Sequence, residues 1–123
     1  MAQESWSVYE KGRLNEYEGF IRHARNAVYS APPPWREEHE HAGHPFEHDA
    51  RSLVICLLLK MWLGKAFRDV VSFLKGNEHL WPFIGITSLP SRSTLQRAMN
   101  RLSKEYLGEL NRMVVEPYRK RGL

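Results

Sequence analysis

Cysteine is almost absent from this chain. Cys56 is the single one, which excludes an internal disulfide. Its place in the run Leu53-Val54-Ile55-Cys56-Leu57-Leu58-Leu59 suits a small buried hydrophobe. Nothing beside it in sequence would lower its pKa, so it is no candidate nucleophile. A chain without disulfides fits an intracellular setting. Long apolar runs are missing too: this one is interrupted at Lys60 and closed by Gly64, too short to cross a bilayer. The first residues are polar and charged, unlike a secretory signal, and a soluble, cytoplasmic chain is expected. No segment alternates apolar and polar residues with period two, so no strand is expected. Internal repeats are absent as well.

What is present is ordinary in bulk and uneven in detail. A length of 123 residues, 42% of them hydrophobic and 26% charged, fits one domain, or one domain plus an arm, with a core that needs no metal or disulfide. The formal net charge is +4. Residues 1–50 carry nine acids against five bases, a net −4, and residues 51–123 carry the remaining thirteen bases against five acids, a net +8. A basic half of this kind points to a polyanion partner as readily as to a solvated face that happens to be basic.

The periodicity predicts an all-α fold. Ser7-Val8-Tyr9-Glu10 has the form of a capping box, and a helix is predicted from there to about Ser30. Leu14, Tyr17, Ile21, Ala24 and Val28 form its apolar seam, widened by Phe20 and Ala27. Pro32-Pro33-Pro34 stops it, and residues 31–48, rich in Pro, His and Glu, read as a linker. Asp49 is a suitable cap for a helix from about Ala50 to Leu63 that is apolar almost all round and belongs in a core; Gly64 is placed to end it. A third helix is predicted from about Ala66 to Lys75, with Phe67, Val70, Val71 and Leu74 at i, i+3, i+4 and i+7 and Gly76 as the stop. Asn77 to Leu89 reads as a short helical turn and a packed loop around Pro82. Helices follow from about Arg92 to Leu102 and from Ser103 toward Arg119, the last kinked or ended at Pro117. The predicted organisation is an N-terminal amphipathic helix (1–30), a linker (31–48) and a helical domain (49–123).

The stretch Pro90 to Leu102 carries the most information. Leu95, Ala98, Met99 and Leu102 make an apolar face. The opposite face offers Arg92, Ser93, Gln96, Arg97, Asn100 and Arg101, with Lys104 just beyond, and no carboxylate. These residue types suit a helix in a DNA major groove, since arginine pairs bidentately with guanine, and glutamine or asparagine with adenine. Serine and threonine at a helix start can hold a phosphate beside free backbone amides. The preceding helix, with Lys65 and Arg68 near its start, would cross the backbone in an expanded helix-turn-helix, because the intervening segment exceeds the usual turn. The plainer reading is an amphipathic surface helix with an ordinary polar face.

Three segments resemble the amino-terminal domain of DDE-type insertion-sequence transposases of the group-five and group-four kind from archaea and bacteria. Arg51 to Lys60 resembles its opening. Ala66 to Leu74 is similar to its segment with an aromatic-arginine pair before a helical leucine, and Leu89 to Arg97 to its proline, serine-threonine, leucine and arginine pattern. The three come in the same order over about residues 48–118. The expected fold is a compact all-α helical bundle with an expanded helix-turn-helix-like core and an N-terminal helix joined by a Pro-rich linker. The resemblance implies sequence-specific binding to the terminal inverted repeats of a mobile element. In such proteins a ribonuclease-H-like domain follows, whose two aspartates and a glutamate hold divalent metal. No carboxylate of this chain matches them, so no catalytic residue, metal ligand or cofactor is assigned, and the chain is not expected to be an enzyme by itself. DNA contacts are expected from Arg92, Ser93, Gln96, Arg97, Asn100 and Arg101 in the groove, and from Lys65, Arg68, Thr94 and Lys104 on the backbone. Relatives often carry a basic stretch before the central helix; Glu37, Glu38, His39, Glu40, His41, His44 and His48 stand there instead.

The His/Glu stretch offers ligand types for zinc or nickel, in a spacing that matches no closed structural site; a solvated loop is the plainer account. The pairs Glu16/Glu18 and Glu37/Glu38 have nothing to split their pKa values. Trp62 and Trp81 are expected in the core, and Trp35 either there or against bases. The seam of the first helix is expected to pack on its own domain; a homodimer or partner contact through it, without DNA affinity, is the alternative, as is an inactive transposase remnant. Duplex DNA is the expected partner, with no membrane and no small-molecule substrate, in a cytoplasmic, nucleoid-associated setting.

Overall fold

Local signals set the helix boundaries. The computed structural model describes residues 2–35 and 48–121, with side chains over 16–35 and 48–119. Asp49 is extended and its carboxylate accepts from the Ser52 N–H at 3.4 Å, starting α2 (Ala50–Leu63) as predicted. Gly64 ends it at φ 65°, in the left-handed region that costs a residue with a Cβ roughly 1–2 kcal/mol. Ser91 and Ser103 cap α5 (Arg92–Arg101) and α6 (Lys104–Leu110) through the Thr94 and Tyr106 amides. Between α2 and α5 lie α3 (Phe67–Lys75), a 3-10 turn (Glu78–Leu80) and the short α4 (Trp81–Ile84). The fold is all-α, with no strand among the described residues.

The first helix starts earlier than the sequence suggests. α1 spans Ala2–Ser30, so Ser7 lies inside the helix and does not cap it. Ala2, Gln3 and Glu4 are good helix formers, and nothing before Ser7 breaks the turn.

α2 is the centre of the molecule. Every residue from Ser52 to Leu59 is buried, and α1, α3, α4, α5 and the C-terminal helix all pack on it. Each leucine or isoleucine buried there stabilises the fold by roughly 1.5–3 kcal/mol. From α1, Phe20, Ile21, Ala24 and Val28 enter the same core, with Tyr17 and Ala27 at its edge; Leu14 lies outside the described side chains. An aromatic cluster ties the layers together. Phe20 stacks on Trp62 at 4.3 Å between ring centroids, and Tyr118 meets Phe20 edge-on at 5.2 Å. Tyr17 stands edge-on to Phe73 at 5.1 Å. The N-terminal helix is therefore part of the core, and the seam residues from Tyr17 to Val28 are spent on packing within the chain.

Pro117 neither ends nor sharply breaks the last helix. α6 runs through a π-helical turn (Asn111–Val115) into α7 (Glu116–Arg121), with the Glu116 N–H donating to Asn111 O five residues back. Proline has no N–H for the carbonyl four residues earlier and its ring crowds that carbonyl; the wider turn relieves the clash. The carbonyl left over is that of Met113, and it accepts from His23 Nε2 of α1 at 3.3 Å.

Candidate nucleic-acid interface

α3 and α5 pack against each other and both against α2. What separates them is well held. Trp81 Nε1 donates to Leu74 O at 2.9 Å, and the Ser52 hydroxyl donates to Gly85 O at 3.2 Å. Gly85 sits at φ 93°, and a Cβ there would come within 2.9 Å of the Ser52 oxygen. Glycine is required on both counts.

On α5, Leu95 and Ala98 are buried and Met99 and Leu102 half-buried, which fixes the rotation of the helix. Ser93, Gln96, Arg97 and Asn100 then fall at i, i+3, i+4 and i+7 on the outward face, and all four are exposed. Arg92 and Arg101 are exposed on its two flanks, and Lys104 is exposed beyond its end. Lys65 and Arg68, before and within the first turn of α3, are exposed as well. At the start of α5 the Ser91 hydroxyl accepts from the Thr94 N–H at 3.1 Å and lies 2.9 Å from the Thr94 hydroxyl. Thr94 is half-buried and its hydroxyl is engaged with the cap. Ser93 is the open hydroxyl of this turn, beside the Arg92 and Ser93 amides at the positive end of the helix.

The basic side chains divide into two sets. Arg119 donates to Met61 O at 2.6 Å, at the C-terminal end of α2. Arg51 reaches Ala31 O just past the end of α1 at 3.5 Å, and Arg25 reaches Phe83 O near the end of α4 at 3.3 Å, long bonds that differ from the Arg97 one in joining separate elements. Arg22 pairs with Glu18 and Arg112 with Glu109, and the Lys60 ammonium lies over the Phe67 ring. Arg119, Arg51 and Arg25 thus tie separate elements together, while Arg22 and Arg112 pair along their own helices. Lys65, Arg68, Lys75, Arg92 and Lys104 make no such contact among the described residues, Arg97 only a long 3.4 Å bond to Ser93 O of its own helix, and Arg101 only a contact with the Trp35 ring. The uncommitted set belongs to α3, α5 and their immediate flanks. Among the described residues no carboxylate forms an ion pair with any of it. The Arg22–Glu18 and Arg112–Glu109 pairs follow from local helical spacing, but no local signal marks Arg25, Arg51 or Arg119, because each carbonyl partner is brought in by tertiary packing.

The other candidates resolve less sharply. His39, His41, His44, Glu37, Glu38 and Glu40 lie outside the described residues, and no group of three or more His, Cys, Asp or Glu able to hold a metal occurs among the described ones. Glu16 is exposed and Glu18 is taken by Arg22. Cys56 is fully buried, and burial pushes its thiol up to about 12, which leaves it inert as a nucleophile. Burial also raises the Tyr106 phenol, against the opposing charge of Arg51. Trp62 and Trp81 are half-buried against the core, as is Trp35. A cavity of about 530 Å³ lies between the end of α1 and α6. Its wall carries Glu105 and Glu109 and no base, so it is not part of the cationic face. Among the described residues no helix is long and apolar enough to cross a membrane.

Comparison with family models, with curated proteins and with solved structures finds no match.

Proposed function

We propose that this chain binds duplex DNA, with α5 in the major groove and α3 crossing the backbone. The observation that carries the reading is the distribution of the cations: those of α3, α5 and their flanks are exposed and meet no carboxylate, and apart from the Arg101 contact with the Trp35 ring and a 3.4 Å bond of Arg97 within its own helix they are uncommitted, while the other described ones are engaged with carbonyls, carboxylates or a ring. A solvated polar face would need neither an acid-free stripe nor amide and guanidinium groups at groove-facing positions. Arg97, Gln96 and Asn100 read base edges. Ser93 with the first amides of α5, and Lys65, Arg68 and Lys104, take phosphates and set the register.

The resemblance of residues 48–118 to transposase amino-terminal domains narrows the target to the terminal inverted repeats of an insertion sequence. In this reading the chain recognises DNA, and strand chemistry belongs to metal-binding carboxylates that none of its own matches. Pairing through the N-terminal seam draws no support from the packing, since its described residues already face α2.

The test is a binding titration of the chain against the element's end-repeat duplex and a shuffled duplex of the same composition. A specific site is typically bound ~10³-fold or more tighter than non-specific DNA. Equal affinity for the two would remove the inverted-repeat assignment; no affinity for either would remove the DNA reading.

A further inference from the structure

Arg101 differs from the other cations of α5. It is the last residue of the helix and sits on the flank of the stripe formed by Ser93, Gln96, Arg97 and Asn100. Its guanidinium lies 5.2 Å from the centre of the Trp35 ring. Trp35 comes from the proline segment that leaves α1, and it is half-buried against the core. A free arginine on a frayed last turn would sample many rotamers. A guanidinium held over an anchored indole samples fewer, and the Arg101 N–H groups make no hydrogen bond among the described residues, which leaves them open to an anion.

We propose that Trp35 is a positioning residue of the DNA-binding face, holding the Arg101 guanidinium at the C-terminal end of α5 toward the phosphate backbone and not toward a base edge. The inference rests on the DNA-binding reading above. It moves Arg101 from the groove set to the backbone set and gives the proline segment a part in binding. Pro32-Pro33-Pro34 restricts the path from α1 to Trp35, so the ring is delivered by a stiff tether from a helix that belongs to the core.

Phosphate contacts are sequence-independent and appear in the salt dependence, so the probe is a random-sequence duplex of about 20 base pairs titrated with the full chain over a range of salt. Arg101→Ala removes one phosphate contact, and the slope of log affinity against log salt falls by about 0.9. Between about 50 and 200 mM salt the variant then loses roughly 3.5-fold less affinity than the parent. Trp35→Ala and Trp35→Leu reproduce that change, the second with apolar packing kept. Trp35→Phe retains the parent slope. The Trp35→Ala/Arg101→Ala double variant falls no further than either single one.

A structural role alone would lower the melting temperature of the Trp35 variants and leave the slope untouched. That result, or a double variant that loses two contacts, overturns the inference while DNA binding stands. A parent that binds no duplex at any salt overturns the DNA reading and takes this inference with it. The contact itself has a DNA-free readout in the ring-current shift of the Arg101 side-chain protons, present in the parent and in Trp35→Phe and lost in Trp35→Leu. Its absence from the parent also overturns the inference.

Discussion

Replacing Arg97 and Arg119 by alanine, one at a time, should produce opposite phenotypes. Arg97 is exposed, and its one hydrogen bond is a 3.4 Å contact to Ser93 O of its own helix. Near the outer limit of hydrogen-bond distance and open to water, such a bond is worth at most a few tenths of a kcal/mol. As a base reader, however, Arg97 contributes roughly 1–3 kcal/mol to specific binding, about 5- to 150-fold in affinity. Arg119 is the reverse case. It joins α7 to the end of α2 through Met61 O at 2.6 Å. Hydrogen bonds to charged groups are worth about 1.5–3 kcal/mol, and the exposure of Arg119 reduces this to about 1 kcal/mol. In a domain of this size that is a fall of about 4 °C in melting temperature. The assays are thermal melting by circular dichroism and fluorescence anisotropy with the end-repeat duplex. Arg97→Ala should melt with the parent and bind weakly; Arg119→Ala should melt early and bind well. If Arg119→Ala weakens binding as much as Arg97→Ala at a temperature where both are folded, the division of cations into structural and DNA-facing sets is wrong.

Three further predictions concern the scaffold. Cys56 should resist thiol reagents at pH 8 in the folded chain and react at once in denaturant. With a folded value of about 12 against 9.0 when exposed, the neutral thiol's contribution to stability is complete below pH 9 and is eroded between pH 9 and 12, so the difference in denaturation midpoint between parent and Cys56→Ala should be constant below pH 9 and change only above it. Gly85→Ala should destabilise by about 1–2 kcal/mol or more in urea, because a left-handed backbone and a 2.9 Å approach to the Ser52 oxygen act together; a neutral result would mean the loop after α4 is not held as described. Phe20→Ala removes a fully buried ring stacked on Trp62 and should cost about 3–5 kcal/mol, with a red shift in tryptophan emission. A loss under 1 kcal/mol would detach α1 from the core.

The parts of the fold legible in the sequence are those fixed by local chemistry. Asp49, Ser91 and Ser103 cap through their own side chains, Gly64 takes its left-handed turn because it lacks a Cβ, and α2 announces burial by being apolar on every side. The outward stripe of α5 was legible for the same reason: its inward face sets the rotation. What stayed hidden depends on residues far apart in the chain. The π turn before Pro117 needs a partner for the Met113 carbonyl, and that partner is His23, ninety residues away. Arg25, Arg51 and Arg119 look no different in sequence from Arg92 or Arg97, and only packing delivers them to carbonyls at or near helix ends. Thr94 reads as an open hydroxyl until the Ser91 cap is seen to engage it. The start of α1 was misplaced because a capping-box pattern signals a possible helix start and does not compel one when the residues before it are also helix formers.

The most direct measurement is amide and side-chain chemical-shift mapping by NMR as the full chain is titrated with end-repeat duplex. Ser93, Gln96, Arg97 and Asn100 should shift most, followed by Lys65, Arg68 and Lys104, while Arg22, Arg25 and Arg119 stay in place. Shifts concentrated on α1, with the outer face of α5 unmoved, would contradict the account.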